Sequence, residues 1–252
     1  MATPSFINAT TGSVTSTTIT ITAPASIASG DFLLAVVAVQ AGATWTTPTG
    51  WTLTFPVPLT SYNRIAIFWK IAGGSEPSSY SFTASSSATI RGLIVHYSAP
   101  AATPIDASIQ AAEGSGTTWT SSSFTNSVAD DLLMVIVWDY SGGWAQPATG
   151  LTTRANVGSA TGPNYTPNIS VFDADLTTAG TIPSYTGAMG STSPGLMAWA
   201  IAIAPSSGGT SVTGATLATA SAEGSLLEAV SGSLGAQSAS QALLDLSLSG
   251  RT

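Results

Sequence analysis

The chain has 252 residues, enough to bury a substantial core, but only 12 acidic and 5 basic residues, a net charge of −7 and no cysteine. With 44% hydrophobic residues and a mean hydropathy of +0.34, it is far from the low-hydrophobicity, high-charge composition of disorder. The single lysine, Lys70, and the scarcity of arginine exclude the clustered cations that a phosphate backbone requires, so nucleic acid is not an expected partner; without cysteine there is no disulfide framework, thiolate nucleophile or Cys-based metal site.

The N-terminus, Met1-Ala-Thr-Pro-Ser-Phe-Ile, lacks the basic and apolar regions of a signal peptide, so export by another route is expected if the protein works outside a cell. No apolar run reaches transmembrane length, and no membrane partner is expected. Thr17 to Thr22 alternates β-branched residues with period two and predicts a strand. Phe32 to Val39 is a continuous apolar run, too short and too β-branched for a helix, and predicts a strand buried on both faces. Further strands are predicted at 51–55, 64–71, 79–84, 89–97, 117–124, 132–138, 168–175 and 196–204, punctuated by glycine and proline.

The chain also contains itself twice, at an offset of about a hundred residues. Asp31-Phe-Leu-Leu-Ala-Val-Val, Trp45, Pro48 and Gly50-Trp51 return as Asp131-Leu-Leu-Met-Val-Ile-Val, Trp144, Pro147 and Gly150-Leu151. Ile65-Ala-Ile-Phe68 matches Ile169-Ser-Val-Phe172, and the run from Gly92 to Pro100 matches the run from Gly195 to Pro205. Each half, about 12–100 and 113–205, supplies four or five strands. They predict an all-β, jelly-roll-like two-sheet sandwich built from two similar halves, the alternative being two small sandwiches in tandem. The stretch from Pro100 to Glu113 reads as a crossing connection, which favours one domain over residues 1–205.

After Pro205 the composition changes. Ser206-Ser-Gly-Gly-Thr-Ser211 is a flexible linker by composition. The small-residue-rich extension of 206–252 carries a short repeat around Leu226, Leu227, Val230 and Leu243, Leu244, Leu246, Leu248, readable as strand or short helix. It has too few large apolar groups to form a core alone, so it is expected to order against a neighbour.

Few residues invite chemistry. His96 is the lone histidine, and no Gly-x-Ser-x-Gly elbow accompanies it, so a buried structural role is expected. Asp130-Asp131, Asp139 and the Asp173-x-Asp175 pair are the acids available for glycoside hydrolysis. Asp131 repeats Asp31, which points to turn capping. Asp173 and Asp175 share a strand face and could meet a hard cation, but no glycine-punctuated acidic loop surrounds them. No catalytic residue, metal site or cofactor is expected. The sequons at Asn8, Asn164 and Asn168 are unremarkable in a chain so rich in Thr and Ser. Among seven tryptophans, Trp51 is expected in the core, and Trp69 and Trp138 in the core or an inter-subunit contact. Trp119, Trp144 and Trp45 are the candidates for an interface or a glycan platform.

The runs Gly30-Asp31-Phe-Leu-Leu-Ala-Val, Pro48-Thr-Gly-Trp51-Thr-Leu, Phe68-Trp69-Lys70-Ile-Ala-Gly-Gly-Ser-Glu76-Pro77 with Tyr80-Ser-Phe82, and Leu196-Met-Ala-Trp199-Ala-Ile-Ala resemble those of virion structural proteins of tailed bacteriophages, over about residues 12–205. The resemblance implies a virion location as a head-decoration, head-fibre, minor tail or tail-fibre component, made in the host cytoplasm, and carries no catalytic residues over. The expectation is a non-enzymatic virion protein that self-associates as a homo-trimer. It would attach to other virion proteins, such as the major capsid protein, through its C-terminal segment. The competing expectation is a receptor-binding module whose tryptophans contact host glycans.

Overall fold

The computed structural model describes residues 3–40, 43–56, 63–98, 100–110, 114–140, 143–159 and 166–206. The assembly residues Leu226, Leu227, Val230, Leu243, Leu244, Leu246 and Leu248 lie outside them. Strands β1 (Phe6–Thr22), β2 (Phe32–Gln40), β3 (Trp45–Thr46), β4 (Thr52–Pro56), β5 (Asn63–Ile71) and β6 (Ser79–Tyr97) come from the first half. The second half supplies β7 (Pro100–Gln110), β8 (Gly114–Thr120), β9 (Phe124–Asn126), β10 (Asp131–Tyr140), β11 (Thr152–Val157), β12 (Pro167–Leu176), β13 (Gly180–Ile182) and β14 (Thr186–Pro205). The architecture is all-β: two antiparallel sheets of six strands face each other as a sandwich, and β9 with β13 forms a separate ribbon.

Each half builds one whole sheet. The first runs β1-β6-β2-β5-β4, with β3 on β6; the second runs β7-β14-β10-β12-β11, with β8 on β14. Read in parallel, β6, β2, β5 and β4 correspond to β14, β10, β12 and β11, and the unbroken β1 corresponds to β7 plus β8. The duplicated sequence is thus a duplicated topology. Its register is finer than matching by glycines shows: Gly92 opposes Val37, whereas Val137 opposes Ala198, three residues beyond Gly195.

Period two explains the packing. Phe32, Leu34, Val36 and Ala38 of β2 point into a core shared by the two sheets, and Leu33, Ala35, Val37 and Val39 point into a core on the outer side of the first sheet. In β10, Leu132, Met134, Ile136 and Trp138 enter the shared core, and Leu133, Val135 and Val137 enter an outer core of the second sheet. Strand β14 divides the same way, with Met197, Trp199, Ile201 and Ile203 inward and Leu196, Ala198, Ala200 and Ala202 outward. Both continuous apolar runs are therefore buried on both faces.

The outer cores need covers, and the longest strands provide them. Residues 79–84 and 89–97, expected as two strands, are one strand that bends over its own sheet. At the bend the register with β1 jumps from Ser16 opposite Ala88 to Thr18 opposite Thr83. Ile19, Ile21, Tyr80 and Phe82 are thereby laid on Leu33, Val37 and Phe68. Gly92 makes room, since a Cβ there would stand 2.9 Å from both Ile21 Cδ1 and Val37 Cγ1. In the second half β8 and the start of β14 form the cover. A Cβ at Gly187 would come within 2.5 Å of both Gln146 O and Trp119 Nε1. Neither atom can yield without breaking the bond between them, so Gly187→Ala is expected to cost about 1–3 kcal/mol, read as a lowered urea midpoint at unchanged slope.

The stretch from Pro100, expected as a crossing connection, is strand β7, paired with β14 at the sheet edge. Its two prolines obscure the strand in sequence, but an edge tolerates them because one side of the strand needs no ladder donors. Likewise 117–124 is interrupted between β8 and β9, and β11 is an additional strand.

Candidate functional site

The residues that could carry chemistry gather where elements meet. His96 on β6 is fully buried; its Nε2 lies 2.7 Å from Asp31 Oδ2 and its Nδ1 3.3 Å from Asn8 Oδ1. The same Asp31 oxygen accepts the Ala28 amide at 2.7 Å, closing the turn before β2, and the Asn8 amide donates to Ala25 O at 2.8 Å. Both imidazole nitrogens are occupied, so the ring has no nitrogen left to activate a nucleophile. It ties β1, β6 and the 25–31 turn together.

The motif around Lys70 is a second tie. Glu76 Oε2 accepts Lys70 Nζ at 2.6 Å and Tyr80 Oη at 2.8 Å, and Oε1 accepts the Gly73 amide at 2.6 Å. Lys70 also lies over the rings of Trp51 and Tyr80, 5.9 and 5.5 Å from their centroids. Burial pushes the Glu76 carboxyl up, but Lys70, Gly73 and Tyr80 outweigh it and hold the group below the usual carboxylate range. Leu151 and Ile182, both buried in the second outer core, replace this polar clasp in the other half with apolar contact.

Two further clusters join the halves. Asp173, 1% exposed, accepts Arg154 Nε at 2.7 Å on one oxygen and Tyr97 Oη at 2.9 Å on the other. Arg154 covers the ring of Phe6 at 4.9 Å, and Phe6 meets Tyr97 edge-on at 5.5 Å. Burial pushes Asp173 up against the pull of Arg154 and Tyr97, and it pushes the Tyr97 phenol up together with the Asp173 charge. In the other cluster Arg91 of β6 donates to Pro167 O at 3.1 Å and Asn168 Oδ1 at 2.8 Å, and Asn168 Nδ2 donates to buried Asp139 at 3.1 Å. Burial lowers Arg91 against the opposing charge of Asp139.

These placements decide most of the candidates. Asp173 has both oxygens engaged inside, whereas Asp175 is exposed on the same strand, so they do not converge on a cation. Among the described residues no group of three His, Cys, Asp or Glu side chains is arranged to hold a metal. Asp130 takes φ 62°, the left-handed turn position that Gly30 fills at φ 91° in the first half, and an aspartate tolerates it. Asn168 and Ser170 are buried in the folded chain, where Asn168 is engaged by Arg91 and Asp139; Asn164 lies outside the described residues.

The tryptophans are the clearest correction. Trp119, expected as a contact residue, is fully buried, stacked on Phe172 at 5.7 Å, with its Nε1 donating to Gln146 O at 2.9 Å. Trp45 packs against the first outer core, and Trp144 is half-buried with its Nε1 enclosed. They are not structural equivalents: Trp45 pairs with Ala84, and the matching bridge joins Ala145 to Met189. Trp51, Trp138 and Trp199 are buried, and Trp69 stacks on Phe32 at 6.2 Å. Among the described residues, the large apolar side chains that do face solvent are Ile7 and Val14, both on β1.

A pair invisible in the sequence is Asp106 with Asp131. Asp106 on β7 accepts both the amide, at 2.5 Å, and the hydroxyl of Ser127. Asp131 is fully buried and accepts Asn126 Nδ2 at 3.1 Å. No family model matches the chain, and no curated protein or solved structure was found to match it.

Proposed function

We propose that the protein is a non-enzymatic structural subunit of a tailed-phage virion, a head-decoration or head-fibre component that self-associates and attaches to the particle. One observation carries this reading. The side chains that could do chemistry, His96, Glu76, Asp139 and Asp173, are spent on holding strands and halves together, while the chain carries few charges and exposed faces such as that of β1 are rich in Thr and Ser. A surface with so few charges suits a subunit covered by neighbours better than a free monomer. The burial of Trp119 weighs against a glycan platform built on that ring.

The assembly role falls to the segment beyond Pro205. Deleting residues 206–252 is expected to leave the melting transition of the sandwich in place but abolish oligomerisation, measured by light scattering, and binding to particles, measured by co-sedimentation. Normal assembly of the truncated protein on particles would show that the role lies elsewhere.

A further inference from the structure

We propose that Asp106 and Asp131 form a proton-sharing carboxyl pair that fastens the first strand of the second sheet more tightly in acid than at neutral pH. Four elements converge there: β7 with Asp106, β9 with Asn126, the 127–130 turn, and the start of β10 with Asp131. Asp106 spends its oxygens on Ser127 and the Val128 amide. Asp131 accepts Asn126 Nδ2 on Oδ2, but among the described residues its buried Oδ1 has no donor in reach, and its carboxyl meets that of Asp106.

The repeat explains how this arises. In the first half the corresponding Asp31 faces the imidazole of His96, which opposes Leu33 across the ladder. In the second half Ala202 opposes Leu133, so a methyl group stands where the ring would be. A methyl cannot donate a hydrogen bond, and the second sheet instead brings Asp106 to the site. Two carboxylates in contact, one of them buried, cannot both stay ionised without a large penalty; one proton between them supplies the missing donor and removes the repulsion. The pair titrates as a unit. Burial is the main force pushing Asp131 up, Asn126 opposes it and Asp106 adds to it, with the result at about 6. Burial also pushes Asp106 up, but its donors outweigh this and hold it below the ordinary range.

Among the described residues the remaining charged neighbours are acidic. Asp130 precedes the site in the same turn, and Asp175 of β12 opposes Leu132 across the ladder and lines a surface cleft with Asn126, Thr177 and Gly180. The cationic Arg154 is engaged by Asp173. Because Asp131 holds its proton to about 6 when folded and to 3.8 as an ordinary carboxyl, the folded state binds the extra proton between those values. The stabilisation is present at the acidic end of this window and is lost as pH rises through about 6.

The test is carboxyl-carbon NMR of the full chain labelled at aspartate, with urea midpoints of wild type, D131N and D106N across the same pH range. Asp131 is expected to titrate near 6 in the wild type and to move toward the ordinary range in D106N. The wild-type midpoint is expected to fall as pH rises through that value, and the fall to be largely absent in D131N, whose amide donates to Asp106 at every pH. The NMR titration of the wild type can overturn the proposal even if a variant does not fold, and the shift of Asp131 in D106N separates the contribution of Asp106 from that of burial. An Asp131 that titrates in the ordinary carboxyl range, or a D131N midpoint with the wild-type pH slope, overturns the proposal.

Discussion

Trp119→Ala is expected to lower the unfolding free energy by about 3–5 kcal/mol, the range for emptying a large aromatic site in a packed core. Trp119 is fully buried and lies against Phe172, and its indole holds the 146 carbonyl under the cover of the second sheet. Truncation would leave a cavity between that cover and β12 and would orphan Gln146 O. The measurement is equilibrium urea unfolding monitored by circular dichroism, which does not depend on the missing fluorophore. A loss below about 1 kcal/mol would place the ring at the surface, where exposed substitutions have effects of this size, and would revive the glycan-platform reading.

Asp173→Ala is expected to have the second largest effect, about 2–4 kcal/mol. It removes the acceptor of the Tyr97 hydroxyl and of Arg154 in one step. Tyr97 is fully buried, so its hydroxyl would be left unpaired in the shared core; Arg154 has a side chain 31% exposed and can turn to water, which trims the loss. Because Tyr97 and Asp173 belong to different sheets, the pair reports on the contact between halves. A double-mutant cycle with Tyr97→Phe should give a coupling energy of about 1 kcal/mol or more. Additive effects would mean that the bond does not join the sheets energetically.

The parts of this fold that can be read from the chain are those governed by local pattern. The unbroken apolar runs at 32–39 and 132–138 announce strands buried on both faces, because neither face of the pleat is left polar. Repetition of Asp31 and Gly50 as Asp131 and Gly150 announces matching turns, and Trp51 N to Pro48 O at 3.1 Å is repeated by Leu151 N to Ala148 O at 3.0 Å. The strand at 100–110 is hidden, since proline masks it and only its place at an edge allows it. The polar ties are hidden for a different reason. Tyr97 and Asp173 are 76 residues apart and His96 and Asp31 are 65 apart, and each pair meets only once the register of two ladders is set. A shift of one residue in either would turn the partner to the other face. The fate of Trp119 depends likewise on Gly187 opposing it, a pairing between strands distant in sequence.

Divergence between the halves is as informative as the likeness. Where the first half uses Lys70, Glu76, Tyr80 and Trp51, the second packs Leu151 and Ile182, and where the first sets His96 against Asp31, the second sets Asp106 against Asp131. The polar groups vary while the topology is retained, which is the pattern of structural fasteners adapted separately in each copy.

The most direct test of the structural-subunit reading is electron microscopy of purified phage particles carrying a gold-labelled or fused tag on this protein. Label is expected at regular positions on the particle, on capsid faces for a decoration or head-fibre protein. Particles that are complete and unlabelled, with the protein recovered only from the soluble lysate, would contradict that reading.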